Sequence, residues 1–343
     1  MIDPERFNPL KVLRWQETIA GAIQGRRVGP VRANLDLSNL CNHNCEWCEP
    51  LEYREHSIEE SKHTLQTNVA LDAIEDLGML GTKAVFLSGG GEPTLHKQFA
   101  TIVRACRERG MRVLVTTNGS RLHLLQTVFA ESVDAFRVSL DASTEAEHMA
   151  IHGSKAGEFE QILESIRALV LERKTKKPEI GIAYTLESRN VSGESVKRMM
   201  GIAEDCGVDY LQFRPVSNRE VDLDGLFQWI EIWKSRLAPR VTVLASDFRS
   251  NDVLYQRKFK QCYAALTVAV IGANGDVSAC CDERQIVFGN LYYQRFRDIW
   301  LSSEHRDRAE LIEPGMCQRC LMCGYNKAVQ DYVVENKLEL EFV

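Results

Sequence analysis

RANLDLSNLCNHNCEWC, residues 32 to 48, sets a short strand candidate directly against three cysteines. RANLDLS (32 to 38) reads as a strand, and Cys41, Cys45 and Cys48 then crowd onto a loop at its carboxyl end. Working outward, five more strand candidates follow: AVFLS (84 to 88), RVLVTT (112 to 117), AFRVSL (135 to 140), IGIAYT (180 to 185) and VDYLQFR (208 to 214). Helical spacing lies between them. Phe99, Ile102, Val103 and Cys106 share one face, as do Phe159, Ile162, Leu163, Ile166 and Val170. Strands alternating with helices predict an α/β chain with a parallel sheet. Six units are too few to close an eight-unit barrel, and suit an open barrel or curved sheet whose site sits at the carboxyl ends of the strands. Motifs sit at those ends: Ser88 to Pro93 (SGGGEP) after the second strand, Thr116 to Gly119 after the third, and Ser139-Leu140-Asp141 after the fourth.

The pattern changes after about residue 220. LFQWIEIWKSRL (226 to 237) reads as an amphipathic helix, DFRSNDVLYQRKFK (247 to 260) as a connector, and LTVAVIGANGDVSACC as two strands around Asn274-Gly275, the signal of a two-residue hairpin turn. The division expected is an N-terminal extension (1 to 31), a core barrel (32 to 220), a connecting helix and linker (221 to 255) and a small C-terminal module (256 to 343). The helix candidate PLKVLRWQETIAGAIQG (9 to 25) is read as a cap on the barrel.

The chain has 343 residues, 44% apolar and 26% charged, with 42 basic and 48 acidic side chains for a net charge of −6. That composition excludes low-complexity disorder and gives no global electrostatic reason to bind nucleic acid or a membrane surface. Eleven cysteines are the anomaly. The N-terminus lacks a signal-peptide layout and no apolar run approaches the ~18 residues of a membrane span, so a cytoplasmic setting is expected, where clustered cysteines point to metal rather than disulfides. Cys106 and Cys206 stand apart and read as small buried hydrophobes.

Zinc would need a fourth ligand beside Cys41, Cys45 and Cys48, and His43, lying inside the triplet, closes a tetrahedron awkwardly. Three cysteines on one loop instead leave one iron of a four-iron cluster open to a small chelating molecule. The pattern C-x3-C-x-aromatic-C, with Trp47 at the aromatic place, resembles the signature of the radical S-adenosylmethionine (SAM) superfamily. The resemblance extends from residue 32 to about 216 and implies a partial (β/α)6 TIM-like barrel. It implies a [4Fe-4S] cluster that binds SAM and cleaves it reductively to a 5′-deoxyadenosyl radical. Gly90-Gly91-Glu92 matches the family's segment for the SAM amino group, in keeping with a carboxylate facing an ammonium. Ser139 and Asp141 fall where relatives bind the ribose and nearby groups, with Asn118 as a neighbour, and Arg214 resembles an arginine that pairs the SAM carboxylate. His96, His148 and His152 lack a paired carboxylate pattern and read as solvated or structural.

Cys262, Gly275 and Cys280 form C-x12-G-x4-C, and FGNLYYQRFRDIWLSSEHR (288 to 306) follows. This resembles the SPASM and twitch extensions of the same superfamily, which hold auxiliary four-iron clusters. Cys317, Cys320 and Cys323 would complete the ligands, and with no cysteine after Cys323 one auxiliary cluster fits best. The preferred set is Cys262, Cys280, Cys317 and Cys320, with the pairs Cys320 and Cys323 or Cys317 and Cys323 as alternatives. A structural zinc ribbon is the competing reading. Cys281 and one of the last three remain over, both inert or either of them, Cys281 foremost, donating a hydrogen atom to a substrate radical.

Together these features predict a radical SAM enzyme of oxidoreductase type, abstracting a substrate hydrogen atom in a dehydrogenation or bond-forming biosynthetic or peptide-modifying reaction. The auxiliary cluster would accept the electron, and an external one-electron donor such as flavodoxin or ferredoxin would supply the first. The substrate is a small molecule or peptide, since 31 residues before the first strand are too few for a leader-binding domain of ordinary size. Two rivals stand: a redox-neutral epimerase or decarboxylase acting on a sugar, nucleoside or peptide, and a non-enzymatic iron-sulfur or zinc-binding protein.

Overall fold

The computed structural model describes residues 9–48, 62–124, 132–216, 221–223, 225–236, 241–245, 257–317 and 320–335. Its spine is one ten-stranded sheet. A 3-10 turn (Pro9–Trp15) and α1 (Gln16–Ile23) precede β1 (Arg32–Asp36). Then come α2 (Thr67–Met79), β2 (Ala84–Ser88), α3 (Phe99–Glu108), β3 (Arg112–Thr117), β4 (Ala135–Ser139), α4 (Glu145–His152) and α5 (Glu158–Glu172). β5 (Glu179–Leu186), α6 (Gly193–Cys206), β6 (Tyr210–Pro215), α7 (Leu226–Arg236) and β7 (Thr242–Ala245) complete the parallel run. All six sequence-predicted strands are present, and β7 adds a seventh within the stretch read as helix and linker. The connector predicted at 247 to 260 lies outside the described residues up to 256.

Strands β1 to β7 pair in chain order, each parallel to the next, and the sheet stays open between edge strands β7 and β10 (Val287–Asn290). Alternation along each strand separates two environments. Val85, Leu87, Val113, Val115, Phe136, Val138, Leu211 and Phe213 are completely buried under the helices, each contributing roughly 1.5–3 kcal/mol. The opposite face carries Arg32, Asn34 and Asp36 on β1, Arg137 and Ser139 on β4, and Gln212 and Arg214 on β6, so the concave side of the open barrel is polar. Helix ends follow local chemistry: the side chains of Thr144 and Ser192 cap α4 and α6, and Gly153 and Gly207 end them at φ +62° and +67°.

The C-terminal region continues the same sheet. After the short helix α8 (Ala264–Thr267), β8 (Val268–Ile271) pairs parallel with β1, Arg32 opposite Val268, and β9 (Asp276–Ser278) and β10 return antiparallel. The β8–β9 turn differs from the two-residue expectation. Gly272 N–H donates to Asp276 O and Gly275 N–H to Gly272 O, leaving Ala273, Asn274 and Gly275 as a three-residue loop. Only Gly275 takes positive φ (+87°), as in a type I turn closed by a left-handed glycine. Helices α9 (Phe296–Trp300), α10 (Ser303–Glu310) and α11 (Cys323–Val329) follow. Arg295 clamps this region to α2 through a two-pronged pair with the fully buried Asp76, at 2.8 and 3.0 Å. The N-terminal segment packs Val12 and Ile19 against Cys323, Ala328 and Val329, so it backs the helix that begins at Cys323. No described helix is long and apolar enough to cross a membrane.

Candidate active site and thiol clusters

Cys41, Cys45 and Cys48 follow β1 on a loop held from three sides. Glu92 N–H donates to Leu40 O (2.8 Å), Asn44 N–H to His152 O (2.8 Å) and Cys48 N–H to Cys45 O (3.1 Å). Two further N–H groups face one sulfur: the His43 amide at 3.4 Å and Asn118 Nδ2 at 3.8 Å from Cys41 Sγ. Such donors stabilise thiolate charge, which a metal ligand must carry. The glycines after β2 are required by this loop. A Cβ on Gly90 would sit 2.0 Å from Asn39 Oδ1, and one on Gly91 2.1 Å from Leu40 O.

Glu92 is buried and knits two strand ends together. Its Oε1 accepts from Thr94 N–H (3.0 Å), Thr94 Oγ1 (2.6 Å) and Thr117 Oγ1 (2.8 Å), while Oε2 accepts from Asn118 N–H (2.7 Å). Asn118 turns its amide toward the cysteine loop, donating to Asn42 Oδ1 (3.0 Å) and accepting from Ser120. Asp141 is the one non-glycine residue with positive φ (+52°) among the described residues. Its carboxylate accepts from Thr185 N–H and lies 3.6 Å from His152 Nε2, and burial pushes its pKa up. Ser139 is half-buried on the concave face, as is Arg214, whose Nε is buried without a hydrogen-bond partner among the described residues. Trp47 lies edge-on to His152, ring centroids 6.1 Å apart.

The histidines are where the sequence reading was least informative. His43, His148 and His152 are all buried and present ring nitrogens within 4.8 Å of one another behind the triplet. His152 Nδ1 is 3.0 Å from Cys45 Sγ and its Nε2 donates to Leu140 O (3.0 Å), while His43 pairs with Glu158. Burial first, then the neighbouring rings, lowers both His148 and His152 to about 3, so both are neutral. They are therefore buried and structural rather than solvated. The signal was hidden because positions 43, 148 and 152 meet only through the packing of α4 on the loop.

The second thiol group gathers four segments. Cys262 precedes α8, Cys280 and Cys281 follow β9, Cys317 and Cys320 lie between α10 and α11, and Cys323 opens α11. Asn326, fully buried, points Nδ2 at Cys262 Sγ (3.8 Å) and Cys320 Sγ (4.0 Å) and anchors its Oδ1 on Ala264 N–H (2.8 Å). Burial raises the Cys317 thiol to about 11, with the charge of Glu283 and then Cys262 and Cys280 adding to the effect. Cys320 interacts with Cys323 and Cys262. A hydrogen bond from Cys281 lowers Cys280 to about 7. All eleven cysteines are free thiols, and burial raises the isolated Cys106 and Cys206 to about 12 and about 11, as for inert core residues. Soft sulfurs with N–H donors suit iron-sulfur ligation at both places.

One ion pair joins the two regions. Arg284 Nη1 lies 2.6 Å from Asp36 Oδ2, on a carboxylate that also receives the Gly90 amide, while Arg284 Nε donates to Cys281 O (3.2 Å).

Comparisons with known proteins agree with this arrangement. Residues 35–175 match the radical SAM superfamily and residues 262–324 match SPASM, an iron-sulfur cluster-binding domain. An AdoMet-dependent heme synthase of Methanosarcina barkeri is 27% identical over 326 residues, spanning 85% of this chain and 88% of its own length. A tungsten-containing aldehyde ferredoxin oxidoreductase cofactor-modifying protein of Pyrococcus furiosus is 27% identical over 162 residues, 46% of this chain and 44% of its own. The crystal structure of Streptococcus suis SuiB bound to precursor peptide SuiA shares the fold, with a TM-score of 0.67 at 18% identity over 96% of this chain and 78% of that one. With the two domains in order over the open barrel and the thiol-rich C-terminal region, the chain belongs to the radical SAM superfamily as an enzyme with a SPASM domain, and its cofactors are a SAM-binding [4Fe-4S] cluster, SAM and auxiliary iron-sulfur.

Proposed function

We propose that the chain catalyses an oxidative radical reaction, a dehydrogenation or bond formation on a small molecule or peptide lying on the concave face of the sheet. When bound, the clusters and SAM supply a hydrogen-abstracting radical and an electron acceptor. Cys41, Cys45 and Cys48 would hold the first cluster, with Asn118 and the His43 amide supporting Cys41 and His152 backing Cys45. Gly90, Gly91 and Glu92 would face the SAM amino group, Arg214 its carboxylate, and Ser139 the ribose. Asp141 would act through its turn, since its carboxylate already holds Thr185 and faces His152. Cys262, Cys280, Cys317 and Cys320 would hold the auxiliary cluster, with Asn326 donating to two of them.

The observation that carries this reading is the placement of the two thiol groups along β1. Arg32, at its start, feels Cys280 and Cys281 electrostatically, whereas the triplet follows its end. Four residue steps of ~3.3 Å, about 13 Å, separate Arg32 from Asp36, and Arg284 runs from the Cys281 carbonyl to Asp36, so both groups flank the concave face beside β1. A substrate there meets the radical-generating end and the electron-accepting end at once. Kinship to a heme synthase supports a biosynthetic setting.

The test is anaerobic incubation of protein carrying about eight irons with SAM and dithionite. Formation of 5′-deoxyadenosine is expected; its absence would overturn the radical reading. Product formation that survives Cys280→Ala at the wild-type rate would overturn the oxidative role of the second cluster.

A further inference from the structure

Besides Arg32 and Arg214, the concave face carries a third arginine that the reading above does not use. Arg137 on β4 lies on the same strand face as Ser139, one layer deeper in the barrel. Among the described residues it forms no hydrogen bond and no ion pair, and its Nε is fully buried without a partner. Burial and then the like charge of Arg214 lower its pKa to about 10. Two guanidiniums therefore share a poorly solvated space with a single carboxylate, Asp141, which interacts with both and also accepts from Thr185. Desolvating a cation and setting it near another is unfavourable unless an anion completes the site.

The register shows how the space is made. Arg137 pairs across β5 with Gly181, and Gly181 with Tyr210 on β6. A Cβ on Gly181 would collide with the Tyr210 ring at 2.0 Å, so the absent side chain lets that ring lie across β5, and Tyr210 contributes to the field at Arg137. Elsewhere on the same polar face, Asn34 Oδ1 on β1 and Gln212 Oε1 on β6, the latter level with Ser139, are buried acceptors without donors among the described residues. Around Arg137 the polar face thus carries one more guanidinium than carboxylate, and two of its buried acceptors are without donors among the described residues.

We propose that this face binds the substrate through an oxyanion, a carboxylate or a phosphate, held by the forked guanidinium of Arg137, with donor groups of the same molecule reaching the unpaired acceptors Asn34 and Gln212 on either side of that level. This rests on the proposed function only in calling the ligand the substrate. The substrate is then an anionic, polar molecule or peptide segment entering oxyanion first.

Arginine-directed modification tests this without turnover. SAM-loaded holoenzyme is treated with phenylglyoxal, and peptide mass spectrometry follows Arg137 and Arg214 separately. The additives are a graded set of mono-, di- and tricarboxylates, each paired with its neutral carboxamide, and inorganic phosphate. At least one carboxylate, or phosphate, is expected to slow modification of Arg137 severalfold while the carboxamides do not; which one protects distinguishes the two oxyanions. Protection by none, or equal protection by the amides, overturns the proposal, as does SAM alone protecting Arg137 in place of Arg214. In Arg137→Gln, the carboxylate that protected Arg137 is expected to bind at least tenfold more weakly by calorimetry, with Arg137→Lys in between; unchanged binding overturns the assignment, and circular dichroism with iron content reports folding. Failure of the radical reading would show instead as missing 5′-deoxyadenosine while protection persists.

Discussion

The two thiol groups of this chain are built in opposite ways. The first lies within eight residues behind one strand, and its order depends on close backbone contacts with the glycine segment. The second is assembled from positions 262, 280, 317, 320 and 323, which meet only after β8 and β9 have joined the sheet and α11 has docked. A local set tolerates little change in its own loop, whereas a dispersed set depends on the elements that bring it together.

The largest effect should come from the ligands. Cys45→Ala is expected to abolish 5′-deoxyadenosine formation, while Cys280→Ala retains it and lowers iron from about eight to about four per chain. Identical phenotypes would erase the distinction. Next, Gly91→Ala, which sets a methyl carbon 2.1 Å from Leu40 O, should cut iron loading at the first site and spare the second, as read by selective cluster spectroscopy. Loss at both sites, or at neither, would show that the glycine does not act through the triplet loop. Asn326→Leu is the converse probe. It removes donors to Cys262 and Cys320 and should cost roughly 1–3 kcal/mol in denaturant unfolding, with iron loss confined to the second site.

A smaller effect distinguishes the histidines. His148 is lowered to about 3 by burial first, and protonates near 6.5 once unfolded. The unfolded chain therefore binds the extra proton as pH falls. The stability tied to this ring is present above about pH 6.5 and declines between 6.5 and 3, by up to ~1.4 kcal/mol per unit. His148→Phe should flatten that part of the stability profile between pH 7 and 5; an unchanged slope would assign the pH dependence elsewhere. Least affected should be Cys106→Ala, which leaves both iron contents intact and costs on the order of 1 kcal/mol by thermal melting.

Much of the barrel was readable because each strand announces itself locally. AVFLS and RVLVTT begin and end where the sequence placed them, at Ala84–Ser88 and Arg112–Thr117. The pairing of β8 with β1 was not readable, since Arg32 and Val268 are brought together by topology rather than by any pattern near either. Likewise β7 is four residues long with little periodicity to register. At the site, the cysteine spacing and the glycines were legible. The partners that orient them were not: Asn326, the His43, His148 and His152 rings, and the Arg284–Asp36 pair all act across large sequence separations.

The seat of β8 beside β1 also bears on biogenesis. While the polypeptide emerges from the ribosome, β2 can cover one side of β1 early, but the other side waits for residues 268–271. Until then the nascent chain presents an unpaired strand edge, the feature most prone to wrong pairing, immediately before three free thiols. Closing that edge brings Cys262 beside the sheet, and Cys280 follows with β9, so protection from misassociation precedes completion of the second thiol set, which waits for residues 317–323.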